Sequence, residues 1–445
     1  MLTSMTFRRF SKIAMKAGAA TTGALLAAAL AVPGPAAALQ RAAGTPAEPS
    51  SSATAGSTLD RQALRRSLDA VHEAGMYGIY AEVRDGRETW QGAAGVADVD
   101  TRRPVQPDMV HRIGSITKTF TSVAVLQQVA RGAIDLDAPV ARYLPDLVPG
   151  ERGQQITVRM LLNHTSHIAD HVGPAFPSLL EGTTTSLDDN RFRTFAPEEL
   201  VRLGLAATPT GQPGATPGMY SNTNYVLAGL LLEKVTGVDA EEYITRNVIR
   251  RAGLRHTSFP RTPQIPGPHS KAYESWYGFI DPPRDYSVYN MSWASTAGAM
   301  VSTMHDLNQF YRALLRGELI GAAQLAEMQK TVLVSLGGGI AMNYGLGLYS
   351  ADLPCGRFWG HDGGVFGMGT QSLISADGNR RLSFGMNLMK YQRIDENGQL
   401  EPNEIDPAIS NHLLLAACGE SGAAAAKSAQ TPFVPLPSDR MLVKR

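Results

Sequence analysis

Excess charge is missing from this sequence. Its 41 Lys and Arg against 40 Asp and Glu leave a net charge of +1 at pH 7, too little to draw the chain toward nucleic acid or an anionic membrane. No basic stripe, basic-zipper or zinc-finger pattern is present. No G-x-S-x-G elbow occurs, which argues against an α/β-hydrolase, and no G-x-x-x-x-G-K, which leaves phosphate cradling by a P-loop unsupported. H-E-x-x-H is missing too, so the histidines at 164, 167 and 171 lack the motif of a helical zinc site; Thr165-Ser166 between them suggest a turn. No internal repeat is visible, and nothing implies a cofactor or a metal. Cysteine is scarce, with only Cys355 and Cys418.

What remains is a globular composition, 43% hydrophobic and 18% charged over 445 residues, enough for a large core. The first 38 residues read differently. Arg8, Arg9, Lys12 and Lys16 precede a small-residue apolar run from Ala17 to Val32, and Ala36-Ala37-Ala38 offers an A-x-A cleavage site. That is the pattern of a secretory signal, with the paired arginines compatible with twin-arginine export. The run is too weakly apolar for a membrane anchor, which needs about 20 strongly hydrophobic residues. A secreted, extracytoplasmic protein is expected. Residues 39–57, rich in Ala, Pro, Ser, Thr and Gly, read as a disordered linker. In an exported chain the two cysteines are a disulfide candidate, two buried free thiols being the alternative.

From about residue 58 the patterning is ordered. Leu64, Leu68 and Val71 mark an amphipathic helix. Strand-like runs follow at Met76 to Val83 and Glu88 to Val96, with Asp85-Gly86 as a hairpin turn. Helices are expected at Ser115 to Ala130, at Asn224 to Val235 closed by Gly237, and at Leu307 to Leu315 closed by Gly317. Strands return at Tyr344 to Tyr349, Arg357 to Trp359, Gly369 to Ser375 and Arg381 to Met389, with Asp377-Gly378 between the last two. A helix at about Ile405 to Ala417 leads into Cys418, and residues 421–445 read as a loose tail. Strands at both ends and helices in the middle imply an α/β (α+β) fold: one antiparallel sheet built from both chain ends, flanked by helices, with a central helical subdomain. The site is expected in the cleft between them.

Three short stretches carry chemistry. Gly114-Ser115-Ile116-Thr117-Lys118 contains S-x-x-K, which at a helix start puts Lys118 one turn behind the Ser115 hydroxyl. A serine hydroxyl needs a base, and a lysine serves once burial lowers its pKa. Tyr220-Ser221-Asn222 precedes an apolar helix, and Gly360-His361-Asp362-Gly363-Gly364 lies between two strand runs. One hydroxyl that attacks and several groups that move protons appear in this order.

In these motifs the chain resembles the penicillin-binding protein and class C β-lactamase superfamily of serine hydrolases, and most of all its exported D-alanyl-D-alanine carboxypeptidases. S-x-x-K, then Y-x-N, then an H-x-G triplet on a strand is that superfamily's pattern. The stretches MLLNHTS (160–166), YSNTNYVLAGL (220–230), TAGAMVSTMHD (296–306) and YGLGL (344–348) support it, and the resemblance spans residues 58–420. It implies that Ser115 forms an acyl-enzyme, that Lys118 and Tyr220 share proton transfer, and that Asn222 holds Lys118 and a substrate amide. It implies that His361 assists Tyr220 electrostatically. The backbone N–H groups of Ser115 and Gly364, beside Gly363, would make the oxyanion hole, a contribution of about 3 kcal/mol per donor. Trp293 aligns with a cleft-lining aromatic. In the closest relatives a cysteine before the H-x-G strand pairs with one at the final helix, which matches Cys355 and Cys418.

The departures concern the substrate. Tyr349 stands where a carboxylate-binding arginine is expected, Asp362 replaces a hydroxyl residue inside the triplet, Gly364 replaces threonine, and His167 replaces the glycine that usually ends the H-T-S-G pattern. A carboxylate at position 362 would repel a substrate carboxylate by about 1 kcal/mol or more. The expected substrates are peptide or small-molecule acyl compounds: carboxypeptidase action on cell-wall peptides first, then esterase or amidase action on small acyl groups, a β-lactamase-like hydrolase, or, least, a non-enzymatic penicillin sensor. A monomer without stable membrane insertion is expected. Non-reducing peptide mapping should recover Cys355 and Cys418 in one disulfide-linked pair of peptides; two free thiols would refute the bridge.

Overall fold

The computed structural model describes residues 59–337, 340–395 and 400–428. The expected signal and linker segments, and the tail beyond residue 428, lie outside them. Among the described residues no helix is long and apolar enough to cross a membrane.

The first element among the described residues is helix α1 (Arg61–Glu73), whose N-terminus is capped by the Asp60 carboxylate accepting from the Ala63 N–H at 2.7 Å. Its apolar stripe of Leu64, Leu68 and Val71 is buried. Strands β1 (Gly78–Asp85) and β2 (Glu88–Asp98) form the expected hairpin, and the short β3 (Arg103–Pro104) follows. Much later the chain adds β4 (Gly218–Met219), β5 (Val332–Gly337), β6 (Ile340–Tyr344), β7 (Tyr349–Leu353), β8 (Gly356–Val365), β9 (Met368–Ser375) and β10 (Arg380–Met386). They make one ten-stranded sheet in the order β3-β2-β1-β10-β9-β8-β7-β6-β5-β4. Both chain ends therefore meet at β1 and β10, as the sequence pattern implies, and every pairing is antiparallel except β4 with β5.

One sheet face is covered by α1 and the final helix, α5, where Leu68, Leu382, Phe384 and Leu413 share a core. Helix α4 (Met304–Leu315) packs on the other face. Beyond it, α2 (Thr117–Ala130) and α3 (Asn222–Thr236) form the heart of the helical subdomain. Residues 117–128 of α2 are buried on every side, which marks a central rather than a surface helix. Gly237, at φ 67°, ends α3.

Two expectations are corrected. Tyr344 to Tyr349 is not a strand but the link between β6 and β7. The Gly345 N–H donates to the Leu348 carbonyl at 2.8 Å, and Gly347 adopts φ 83°. A Cβ at Gly347 would lie 2.2 Å from the Ser122 Oγ, so this turn has to be glycine to settle on α2. The final helix α5 runs from Ile405 to Ser428 with a break at Gly419, so the tail is helical to residue 428. Asn387 ends β10, and Leu388–Met389 pair instead with Tyr273–Glu274 in a smaller sheet. Cys355 and Cys418 are joined, fastening the β7–β8 turn to α5.

Glu82 of β1 is a buried charge that ties the sheet to α4. Its carboxylate accepts from Arg84 at 2.6 Å and Gln91 at 2.7 Å, lies 3.1 Å from the His305 ring, and meets Asn308. Burial pushes its pKa up, but these donors outweigh burial and bring it down to about 2. A carboxylate with a depressed folded pKa adds stability above its unfolded value and loses it as pH falls. Acid titration of unfolding should therefore show about 3 kcal/mol lost between pH 4.5 and pH 2. Glu82→Gln should flatten that limb; an unchanged slope would show that Glu82 does not carry it.

Candidate active site

The nucleophile candidate sits where the chain turns into α2. Gly114 adopts φ 49°, a single turn of 3₁₀ helix carries Ser115, and α2 begins at Thr117. Lys118 follows on the same face with no exposure to solvent. Its Nζ lies 2.9 Å from the Ser115 Oγ, 2.7 Å from the Asn222 Oδ1 and 2.9 Å from the Ala297 carbonyl oxygen. Asn222 opens α3 and is locked in place: its backbone N–H and its Nδ2 both donate to one oxygen of Asp170, at 2.7 and 2.8 Å. The amide therefore presents its oxygen to the lysine.

That set of partners suits an amine in either protonation state. Burial pushes Lys118 down to about 7, against the pull of the Asp170 and Asp362 charges. As a neutral amine it has two N–H donors and one lone pair. Asn222 Oδ1 and the Ala297 carbonyl can only accept, so the lone pair is left for the one partner that can give a proton, the Ser115 hydroxyl. As an ammonium it donates to all three. A proton can pass between Ser115 and Lys118 with no other group moving.

Tyr220 follows β4, its backbone N–H donating to the Ser335 carbonyl at 3.0 Å. Its ring lines the same cavity as Ser115, and the Lys118 Nζ sits 4.9 Å from its ring centre. Burial first, then the charge of Asp362, holds its pKa well above 10, so the phenol keeps its proton at neutral pH. His164 backs this ring at 4.2 Å between centroids. Its Nδ1 accepts from the Ser221 N–H at 3.2 Å, and burial keeps the ring neutral.

Across from Ser115 runs the edge of β8. A Cβ at Gly114 would come within 2.8 Å of the Gly364 nitrogen, and one at Gly363 within 1.9 Å of the Ile113 carbonyl oxygen. Only glycine backbones facing each other allow strand and nucleophile turn to approach this closely. Between them opens a cavity of about 60 Å³. Ser115, Tyr220, Asn222 and Gly364 line it together with an apolar wall that includes Val172, Trp276, Trp293 and Phe366. Among the described residues Lys390 is the one cation of the lining, and its Nζ lies 3.2 Å from the Glu274 Oε2.

The sequence pattern of the β-lactamase family matches residues 61–401. The chain belongs to the β-lactamase family. Its fold superposes on a D-stereospecific amidohydrolase from Streptomyces sp. with a TM-score of 0.69 and 38% identity, covering 81% of this chain and 99% of that one. Penicillin-binding protein 4* of Bacillus subtilis is 25% identical over 335 residues, covering 73% of this chain and 70% of that protein. Esterase EstB of Burkholderia gladioli is 33% identical over 215 residues, 45% of this chain and 53% of its own length. As a member of this family the protein is a serine hydrolase, related to penicillin-binding proteins.

Within this β-lactamase-family site, the sequence motifs and the cavity do not coincide throughout. Ser115, Lys118, Tyr220 and Asn222 converge, and Trp293 and Gly364 line the cavity. Gly363 serves the close approach beneath it. His361, expected to assist Tyr220 electrostatically, does not line the cavity. Its Nε2 bonds with the Tyr344 hydroxyl at 2.8 Å, its ring lies 6.4 Å from Tyr220, and burial lowers it to about 3. It is neutral at physiological pH and meets Tyr220 by ring contact rather than by a hydrogen bond, with Tyr344 bonded to its Nε2.

Asp362 and Tyr349 are likewise displaced from the expected carboxylate locus. Asp362 is buried at 1% exposure and lines no part of the cavity. Its charge falls on Lys118 and on the buried phenols of Tyr311, Tyr344 and Tyr349 rather than on a bound substrate. Tyr349 accepts a hydrogen bond from Gln371 at 2.7 Å, also away from the cavity. The three histidines do not share a helical face. His164 and His167 have φ of 61° and 54°, and no group of three or more candidate ligands among the described residues could hold a metal.

Asp170, Glu274, Trp276, Phe366 and Lys390 carried no motif. Asp170 could have been suspected as the lone acid following the H-T-S stretch; the others had no sequence signal.

If Lys118 is the base, kcat/KM should rise with pH along an acid limb centred near pH 7, where the amine loses its proton. Lys118→Arg, charged at every accessible pH, should lower kcat/KM by about a thousandfold. An unshifted limb in an active Arg variant would assign it to another group.

Proposed function

We propose that this enzyme hydrolyses small amides and esters of bulky acyl groups, D-aminoacyl groups foremost, through an acyl-enzyme on Ser115. The observation that carries this reading is the cavity itself. It joins the Ser115–Lys118–Tyr220–Asn222 cluster to an aromatic wall, and its one cation is already paired with Glu274. A carboxypeptidase needs an uncommitted cation for its substrate's carboxylate; an amidase or esterase does not. The likeness to a D-stereospecific amidohydrolase and to an esterase supports the same substrate class.

The chemistry follows from two pKa values pushed apart. Ser115 Oγ attacks the acyl carbon while its proton passes to neutral Lys118. The oxyanion forms against the backbone N–H groups of Ser115 and Gly364. Tyr220, a phenol held protonated, gives its proton to the leaving amine or alkoxide as the C–N or C–O bond breaks. Lys118 then returns a proton to Tyr220, downhill from an ammonium near 7 to a phenolate well above 10. Water entering the vacated position loses its proton to Lys118 and attacks the ester. Ser115 leaves as the hydroxyl, recovering that proton. Export directed by residues 1–38 is part of the same proposal.

Mass spectrometry after mixing the enzyme with D-Phe methyl ester, D-Phe amide and an acyl-D-Ala-D-Ala peptide tests it. Acylation should map to Ser115, with ester and amide turned over well ahead of the peptide. Ser115→Ala should lower turnover by about a thousandfold or more while the fold persists. Faster release of D-Ala from the peptide than of either small product would make the enzyme a carboxypeptidase.

A further inference from the structure

The wall of the cavity opposite the catalytic cluster is built with unusual backbone cost. Trp276, Tyr277 and Lys390 are consecutive or paired residues with φ of 45°, 61° and 46°, a region that side chains other than Gly, Asn and Asp rarely occupy. Such strain persists where surrounding structure forces it, and it gathers at ligand sites. Here the force comes from Glu274. It is fully buried, its Oε1 accepts from the Trp276 N–H at 2.9 Å, and its Oε2 accepts from the Gly367 N–H at 3.0 Å. One carboxylate thus fixes the Trp276 segment and the tip of the β8–β9 hairpin that carries Phe366.

Lys390 enters this frame as the third donor to Glu274, with its Nζ 5.0 Å from the Trp276 ring and 5.5 Å from the Phe366 ring. An ammonium has three N–H donors, and Glu274 is the one acceptor that the described residues give it. A second donor stands nearby. Trp293 lines the same cavity at 8% exposure, and its indole N–H has no acceptor among the described residues. A buried indole N–H without an acceptor among the described residues is a cost to the folded protein that a ligand oxygen would remove, and the Lys390 ammonium has donors to spare beyond the one it gives Glu274. The Glu274–Lys390 pair carries no net charge, so a neutral oxygen suits it better than a carboxylate, which would face the Glu274 charge across Lys390.

We infer that Lys390, held by Glu274, is a specificity-determining residue that selects acyl groups with an aromatic side chain ending in a neutral oxygen acceptor, such as a phenol. This rests on the acyl-hydrolase reading above and adds the nature of the preferred side chain. The aromatic wall takes the ring, and Lys390, with Trp293 beside it, takes the oxygen.

The test compares kcat/KM for D-Tyr and D-Phe methyl esters in the wild type, Lys390→Met and the double variant Glu274→Gln/Lys390→Met, which avoids leaving a buried carboxylate alone. The wild type should favour D-Tyr by about tenfold, the usual worth of a hydrogen bond to a charged group. Both variants should bring the ratio to about one. In parallel, quenching of tryptophan fluorescence by 4-hydroxyphenylacetamide and by phenylacetamide measures the pocket without turnover. The hydroxylated compound should bind about tenfold tighter to the wild type and equally to the variants. Equal binding in the wild type, binding of neither compound, or a preference that survives Lys390→Met would overturn the inference. Failure of both esters to react, with the binding preference intact, would sink the D-aminoacyl substrate reading, and with it the acyl-group selection inferred here, while leaving only the pocket's preference for an oxygen-tipped ring.

Discussion

The site depends on a lysine kept from water. An amine moved into the interior sheds its charge more readily, and the shift of Lys118 to about 7 is what turns an ordinary ammonium into a base at neutral pH. Its three partners come from different parts of the chain: Ser115 from the turn before α2, Asn222 from the start of α3, and Ala297 from the short helix at Ser295–Gly298. The Ser115 contact is local to one helical turn, but the bonds to Asn222 and Ala297 exist only once those segments dock. The helical subdomain is therefore less a cover for the sheet than the shell that keeps one nitrogen dry and correctly bonded. Asp170 completes that shell by fixing which end of the Asn222 amide faces the lysine.

The sheet contributes an approach rather than a charge. Gly363 and Gly364 bring β8 to within backbone distance of Gly114 and Ser115, a contact no larger residue permits. Sequence reasoning placed a positive or proton-moving group at position 361, because the triplet's first residue plays that part in related enzymes. In the fold that side chain turns beneath the strand to Tyr344, while the glycines after it face the nucleophile. The strand's chemistry resides in its backbone.

The S-x-x-K, Y-x-N and H-x-G motifs were legible because each is local: a helical turn, a helix start and a strand fix their own spacing. The same holds for α1, the β1–β2 hairpin and the meeting of both chain ends in one sheet, where the period of apolar residues is strong. The run Tyr344 to Tyr349 misled for a physical reason. Alternating large and glycine residues imitate a strand, yet Gly345 is there to pass the Met328 carbonyl and Gly347 to let the turn touch Ser122. Glu274, Trp276 and Lys390 were invisible for a different one. The Glu274 bonds to Gly367 and Lys390 span more than 90 residues of sequence, and single buried charges or tryptophans have no periodicity to announce them.

That contrast separates what makes the molecule a hydrolase from what decides its substrate. The proton-moving groups are written in compact motifs shared across the family. The pocket wall is assembled from the 274–277 segment, the β8–β9 hairpin tip and Lys390, all bonded to Glu274, with Trp293 packed against Phe366 at 5.3 Å between ring centres. Both halves obey one electrostatic rule, since neither presents an unpaired charge to the cavity. Lys118 can be neutral, Asp170 is bonded to Asn222, and Lys390 is paired with Glu274. A pocket balanced in this way discriminates by shape and by hydrogen-bond donors rather than by net charge. That favours an uncharged amide or ester function beside Ser115 and an aromatic, oxygen-tipped group at the wall.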